Sequence, residues 1–278
     1  MLTVNLLIFN FYKTNKKMIG GKFMKVISIS NIKGGVGKTS TAAILSAGLA
    51  NKGYNVLMID SDPQTNLTMC FMPEPEDGTP SLYHVYAEEK SLDEVKMNIK
   101  PNFDLVIGDF ELCNADMQFL KIGRLKMLHK ALKQLKNNYD FVIIDTPPNL
   151  GILSLNAFLV SDYIVVPMAA DSFSLKGVRL LKRTLDEVGE EAEKKISVIG
   201  LLLTKYTSRT NVAKLLEKSV TSAAELMNTK VFNSRIRQAT VLQESQIAKV
   251  NLLEYAPKAP VTADYQAFID EFLQRIEV

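Results

Sequence analysis

The segment Asn31-Ile32-Lys33-Gly34-Gly35-Val36-Gly37-Lys38-Thr39-Ser40 has the residue types and spacing to hold a polyphosphate. Its glycines let the backbone curl tightly and aim N–H groups inward. Lys38 is placed to reach the β- and γ-phosphates, and the Thr39 hydroxyl to hold Mg²⁺. The strand-like run Lys25–Ser30 precedes the loop and the helix-like run Thr41–Ala50 follows it. That context separates a phosphate loop from an ordinary glycine turn. The helix N-terminus adds its dipole to the cradle. The nucleotide-binding set is therefore Gly34, Gly35, Val36, Gly37, Lys38, Thr39 and Ser40. Lys33 abuts the cradle, where a cation is poorly placed without an anion.

Three carboxylates complete the set. Asp60 and Asp62 follow the apolar run Asn55–Ile59, near the same sheet edge as the loop. One can tune the Mg²⁺ shell and the other can orient or polarise the attacking water, and residue type alone does not divide these jobs. Asp145 follows four apolar residues, Phe141–Ile144, the form of an acid that holds Mg²⁺ through water. Thr146-Pro147-Pro148 then stiffens the chain beside the γ-phosphate. Singly, each Asp also suits a cap or a turn. Together they point to phosphoryl transfer to water, which needs positioning and charge neutralisation more than covalent chemistry.

Such residues need strand ends and helix starts to position them. Strand candidates are Lys25–Ser30, Asn55–Ile59, Leu105–Ile107, Phe141–Ile144, Tyr163–Val166 and Val198–Leu203. They are rich in Val, Ile and Leu with little alternation, as in parallel strands covered on both faces. Helix candidates are Ser40–Asn51, Arg124–Lys136, Leu175–Gly189, Val212–Met227 and Ala263–Ile276. Residues 81–100 read as short helices, and Pro73–Pro80 as a surface loop. The fold class is α/β: a single-domain P-loop NTPase whose mostly parallel sheet carries helices on both faces, with ligands at the C-terminal strand ends.

A chain of 278 residues can bury one substantial core. Cys70 and Cys113 do not make a disulfide framework or a C-x-x-C pair. His84 and His129, far apart, give a zinc site little support. Residues 1–23 read as a dispensable extension, apolar and then lysine-rich, and 24–278 as the catalytic domain. The extension lacks the order of a secretory signal, and its apolar run is too short to span a bilayer. A cytoplasmic protein is expected.

Lys33 to Thr39 reads KGGVGKT, and with it the chain resembles the ParA/MinD family of ATPases, whose deviant phosphate loop has the form KGGxGK[ST]. Asp60-Ser61-Asp62-Pro63-Gln64-Thr65-Asn66 is similar to the D-x-D-P-Q-x-N stretch of the ParA-type plasmid and chromosome partition members. Tyr139–Pro148, Asp162–Pro167 and Gly200–Tyr206 follow the same pattern, so the resemblance runs from residue 24 to the end. Two positions depart: Ser40 stands where threonine is frequent, and Thr65 where glycine is common, which bears on the flexibility of the first switch. The resemblance implies ATP and ADP as ligands with Mg²⁺, Asp62 in the water-related role, and Asp60 near the metal with Thr39 and Asp145. It implies that Lys33 reaches across a nucleotide-sandwich homodimer to the partner's phosphates, as a finger supplied in trans. It also points to Thr204 and Lys205 for the adenine side, and to slow basal turnover stimulated by a partner protein.

Net charge is only +3. From Lys194 to Lys258 eleven Lys or Arg face four Glu, so the remainder is net acidic. Arg235 and Arg237, two apart beside polar residues, can hold phosphates without reading bases. The resemblance implies nonspecific binding of double-stranded DNA on the nucleoid, with a ParB-like centromere-binding partner. One rival is a membrane-associated positioning ATPase of the MinD type, which ends in a basic amphipathic helix. Here the polar side of Ala263–Ile276 is mostly acidic, so no stable membrane association is expected. Other rivals are an ATP-dependent metabolic enzyme such as a ligase, for which no acceptor pocket is legible, and a nucleotide-gated binding module without turnover.

Overall fold

The structure is a computed structural model. It describes residues 18–19, 22–119, 124–136, 138–169, 174–207 and 211–276. The extension expected over residues 1–23 lies outside them, except for a short antiparallel pairing of Met18–Ile19 with Lys22–Phe23.

Eight strands form the main sheet. They are β1 (Lys25–Ile29), β2 (Val56–Asp60), β3 (Lys96–Lys100), β4 (Phe103–Val106), β5 (Phe141–Asp145), β6 (Tyr163–Ala169), β7 (Ser197–Tyr206) and β8 (Val231–Arg237). Their order is β8-β7-β6-β1-β5-β2-β4-β3. All neighbours pair in parallel except β3, which runs antiparallel to β4 at one edge. The expected α/β fold is therefore present, with two strands added at the edges. Lys96-Met97-Asn98-Ile99-Lys100 reads as polar because one side of an edge strand faces water. It corrects the reading of residues 81–100 as helices only; Leu82–Tyr86 and Leu92–Val95 are helical, and the strand follows them. β8 alternates in the same way, burying Phe232 and Ile236 and exposing Asn233, Arg235 and Arg237.

The longer helices are α1 (Lys38–Asn51), α2 (Met127–Gln134), α3 (Ile152–Val160), α4 (Leu175–Glu191), α5 (Asn211–Leu226), α6 (Thr240–Ile247) and α7 (Pro260–Ile276). Helix α1 is buried along its whole length from Thr41 to Ala50. It is wedged between the sheet and α7, where Tyr265, Phe268, Ile269 and Phe272 are also buried. Fully burying each such side chain is worth about 1.5–3 kcal/mol. Gly48 makes the approach possible: a Cβ there would lie 2.2 Å from Ile269 Cδ1. The opposite face is covered by α2 and α3 and, beside them, by α4 and α5. The helix that begins at Lys38 is thus immobilised from both sides, which fixes the loop in front of it.

Two neighbours of β1 set the site. β5 lies on one side, with Ile29 in register with Asp145, and β6 on the other. The chain leaves β5 and crosses to β6 on the far side of β1. This reversal of strand order opens a crevice at the C-terminal ends, where α/β sheets hold ligands.

Candidate nucleotide site

The glycine loop closes over the end of β1. Gly35 and Gly37 have φ of 73° and 84°, in the left-handed region that glycine enters without strain. Thr204, at the end of β7, is buried beneath the loop, and its hydroxyl donates to the Val36 carbonyl at 2.8 Å. Asn31 anchors the loop's start: its Nδ2 donates to the Pro167 carbonyl (2.8 Å) and its Oδ1 accepts the Lys33 N–H (3.0 Å). Lys38 is buried, and its Nζ donates back to the Lys33 carbonyl at 3.2 Å. The Lys33, Gly34 and Gly35 positions are exposed at the rim.

The floor is built from the ends of adjacent strands. Asp60 and Asp145 are in register at the last positions of β2 and β5, and both are fully buried. The Thr39 hydroxyl donates to Asp145 Oδ2 at 2.7 Å, while Asp145 Oδ1 is buried with no hydrogen-bond partner. Burial pushes the Asp145 carboxyl well above its ordinary range. Asp60 adds to that push, and the Thr39 hydroxyl and Lys38 oppose it. Burial lowers Lys38, against the attraction of Asp145 and Asp62. The floor therefore holds more carboxylate than one lysine offsets. An orphaned carboxylate oxygen beside a threonine hydroxyl fits a divalent cation. No group of three or more acidic, His or Cys side chains at metal-ligand spacing occurs among the described residues. That suits Mg²⁺, which takes one or two protein ligands and fills the rest with water and phosphate oxygens.

Asp60 differs from Asp145 in how it is used. Its Oδ2 accepts the Thr68 N–H (2.8 Å) and the Thr68 hydroxyl (2.7 Å), and its Oδ1 accepts the Asp62 N–H (3.2 Å). Burial pushes its carboxyl up to about 6, against these donors. Both oxygens are thus spent on folding the segment that presents Asp62. The Thr68 hydroxyl in turn accepts the Gly108 N–H at 3.0 Å, and a Cβ on Gly108 would come 3.0 Å from the Asp60 carboxyl carbon. Thr68→Val removes both bonds of that hydroxyl. It should cost about 2–3 kcal/mol, because a bond to a charged acceptor is lost and a buried N–H is left unpaired. Urea unfolding measures this; a loss under about 0.5 kcal/mol would show that Asp60 does not depend on the Thr68 hydroxyl.

Asp62 is nearly buried, and its Oδ1 accepts the Gln64 N–H at 3.0 Å. Thr65 follows with φ of 53°, a left-handed conformation that is costly for a β-branched residue. Glycine adopts that conformation freely, which accounts for glycine being common at this position; Thr65 holds the same conformation at a cost. Ser40 accepts a hydrogen bond from Gln246 Nε2 of α6 at 3.0 Å, a contact between residues 206 positions apart. Lys205 is exposed, with φ of 50°.

The structure thus brings together Lys38, Thr39, Asp60, Asp62 and Asp145, with Lys33 at the rim and Thr204 beneath the loop. Arg235 and Arg237 lie apart, on the outer edge strand. The Arg235 guanidinium lies 4.8 Å from the Tyr206 ring centroid and donates to the Tyr206 hydroxyl at 2.8 Å. Arg237 forms a two-bond pair with Asp264 at 2.6 and 2.8 Å. Thr68, Gly108 and Gln246 were not legible in the sequence. Each acts through a partner distant in the chain, and none carries a local motif.

A glycine loop feeding a clamped helix, with a Thr–Asp couple at neighbouring strand ends, defines a P-loop nucleotide-binding protein. A family model described as an AAA domain matches residues 24–198. The sporulation initiation inhibitor protein Soj of Bacillus subtilis is 32% identical over 237 residues, covering 84% of this chain and 92% of that protein. The chromosome-partitioning ATPase Soj of Thermus thermophilus is 32% identical over 251 residues, covering 90% and 96%. Among solved structures, cobyrinic acid a,c-diamide synthase from Mycobacterium smegmatis with bound ATP analog and magnesium is 29% identical. It superposes with a TM-score of 0.79 over 91% of this chain and 95% of that chain. The chain belongs to the ParA/MinD family of P-loop ATPases, with its ParA/Soj members as relatives.

Proposed function

We propose that this protein is a Mg²⁺-dependent ATPase whose ATP-bound state is a homodimer that holds DNA without reading its sequence. With a ParB-like centromere-binding partner, it drives partition of a plasmid or chromosome in the cytoplasm, on nucleoid DNA. The observation that carries this reading is the Lys38–Thr39–Asp145 floor, in which Lys38 and Asp145 are buried and one carboxylate oxygen is unclaimed, set below an exposed Lys33. Thr39 and Asp145 are the residues to hold Mg²⁺, which when bound offsets charge on the β- and γ-phosphates. The loop N–H groups and Lys38 bind and orient the phosphates. Asp62 orients and polarises the attacking water by accepting a hydrogen bond from it, while Asp60 keeps the Asp62 segment in place. Thr204 braces the loop, and Ser40 with Gln246 borders it toward α6. Lys33 completes the partner's site, so that assembly follows ATP.

The rival membrane-associated reading asks for a final helix free to lie on lipid. In α7 the residues Val261, Tyr265, Phe268, Ile269, Phe272 and Ile276 are buried against the sheet and α1. No helix among the described residues is long and apolar enough to cross a membrane. The test is gel filtration and DNA retention with Mg²⁺ and ATP, ADP or no nucleotide. Dimer elution and retention are expected with ATP alone, and identical behaviour in all three would overturn the switch.

A further inference from the structure

We propose that the solvent face of α2, together with Lys194, is a docking surface for the sugar–phosphate backbone of duplex DNA, separate from the arginine pair on β8. From Met117 to Tyr139 the chain carries six Lys or Arg (Lys121, Arg124, Lys126, Lys130, Lys133 and Lys136) and no Asp or Glu. Helix α2 turns part of this run into a stripe. Met127, Leu128, Ala131 and Leu132 are buried beneath it. Positions 126, 129, 130 and 133 are spaced three and four apart and share the opposite face. Lys126, Lys130 and Lys133 are exposed and His129 is half-buried. The stripe rises about 10 Å from Lys126 to Lys133. A duplex presents several phosphates over such a span.

A second element converges on it. Burial holds the His129 imidazole below its ordinary value, and the charges of Lys133, of Lys194 beyond the end of α4, and of Lys126 add to that. Two acidic groups reach this region: Glu88 stands 3.7 Å from Lys130 of the stripe itself, in an exposed pair, and Asp93 approaches Lys136. Exposed pairs of that kind contribute little. The solvent face of α2 itself is His129, Lys130, Lys133 and Gln134, and the exposed Leu125 beside Lys126 is a small insertion for acyl chains, so the charge suits a phosphodiester backbone better than a lipid surface. The β8 arginines contrast with it: Arg237 is already held by Asp264 and Arg235 by Tyr206.

This inference rests on the ATP-gated DNA binding proposed above. It is tested with fluorescence anisotropy of a labelled duplex of arbitrary sequence, in Mg²⁺ and ATP, over a salt series. Lys126→Gln/Lys133→Gln should weaken binding about tenfold and lower the slope of log affinity against log salt by about 2. Basal ATP turnover and the urea midpoint should not change. In the unaltered protein, adding duplex should raise the His129 titration midpoint followed by NMR, a readout that needs no variant. An unchanged affinity, slope and His129 midpoint overturns the inference while leaving ATP-gated DNA binding in place. No duplex binding by the unaltered protein overturns both. Retention on phosphatidylserine vesicles in place of DNA, lost in the double variant, overturns the assignment to nucleic acid.

Discussion

Asp62→Ala should bind ATP within about threefold of the unaltered protein and hydrolyse it at least about 100-fold more slowly, the range for losing a positioned base. The geometry separates the two effects. The Asp62 backbone N–H donates to Asp60, and that bond survives loss of the side chain. The carboxylate itself accepts only the neighbouring Gln64 N–H among the described residues. Neither bond touches the glycine loop, whose shape depends on Asn31, Thr204 and the buried helix α1. Asp62 does attract Lys38, so its removal frees that lysine for phosphate and does not weaken binding. Titration with a fluorescent ATP analogue and a phosphate-release assay separate affinity from turnover. Unchanged turnover would take Asp62 out of the water-positioning role.

The contrast with Asp60 shows what a linear motif can and cannot say. Sequence places Asp60 and Asp62 together after one strand and Asp145 after another, and all three do meet at the sheet edge. Sequence does not reveal that Asp60 spends both oxygens on Thr68 and Asp62. Those donors come from a turn whose course depends on Thr65 adopting a left-handed conformation. Of the two strand-end carboxylates, Asp145 is the one with a buried oxygen that no hydrogen bond claims, which leaves it capacity for a cation.

The same reasoning explains which elements were legible. Central strands such as Phe141–Asp145 are apolar up to their last residue because both faces are covered. Edge strands β3 and β8 mix lysine, arginine and asparagine with apolar residues, so composition disguised them. Helix α3, Ile152–Val160, has almost no polar face, and periodicity alone does not distinguish it from a buried strand. Charge counting over a long window had a similar blind spot. Residues 194–258 stand out in such a window, although Arg237 within them is paired with Asp264. The acid-free run around α2 was masked by the net acidity of the rest of the chain.

Lys33→Ala tests the step from one site to two. The Lys33 backbone is fixed by Asn31 Oδ1 and by the Lys38 ammonium, whereas the residue is exposed at the rim. Truncation should therefore leave the loop shape and ATP affinity nearly unchanged. ATP-driven dimerisation followed by sedimentation should be lost, and turnover should fall about 10³-fold, the lower range for a charge supplied in trans. A mixing experiment distinguishes trans from cis. Lys33→Ala subunits keep Asp62 but lack the bridging lysine; Asp62→Ala subunits keep the lysine but lack the water-positioning carboxylate. If Lys33 serves the partner's phosphates, a mixed dimer has one complete site, and the mixture hydrolyses ATP when neither variant does alone. If Lys33 serves its own loop, every site in the mixture lacks one group and no activity returns.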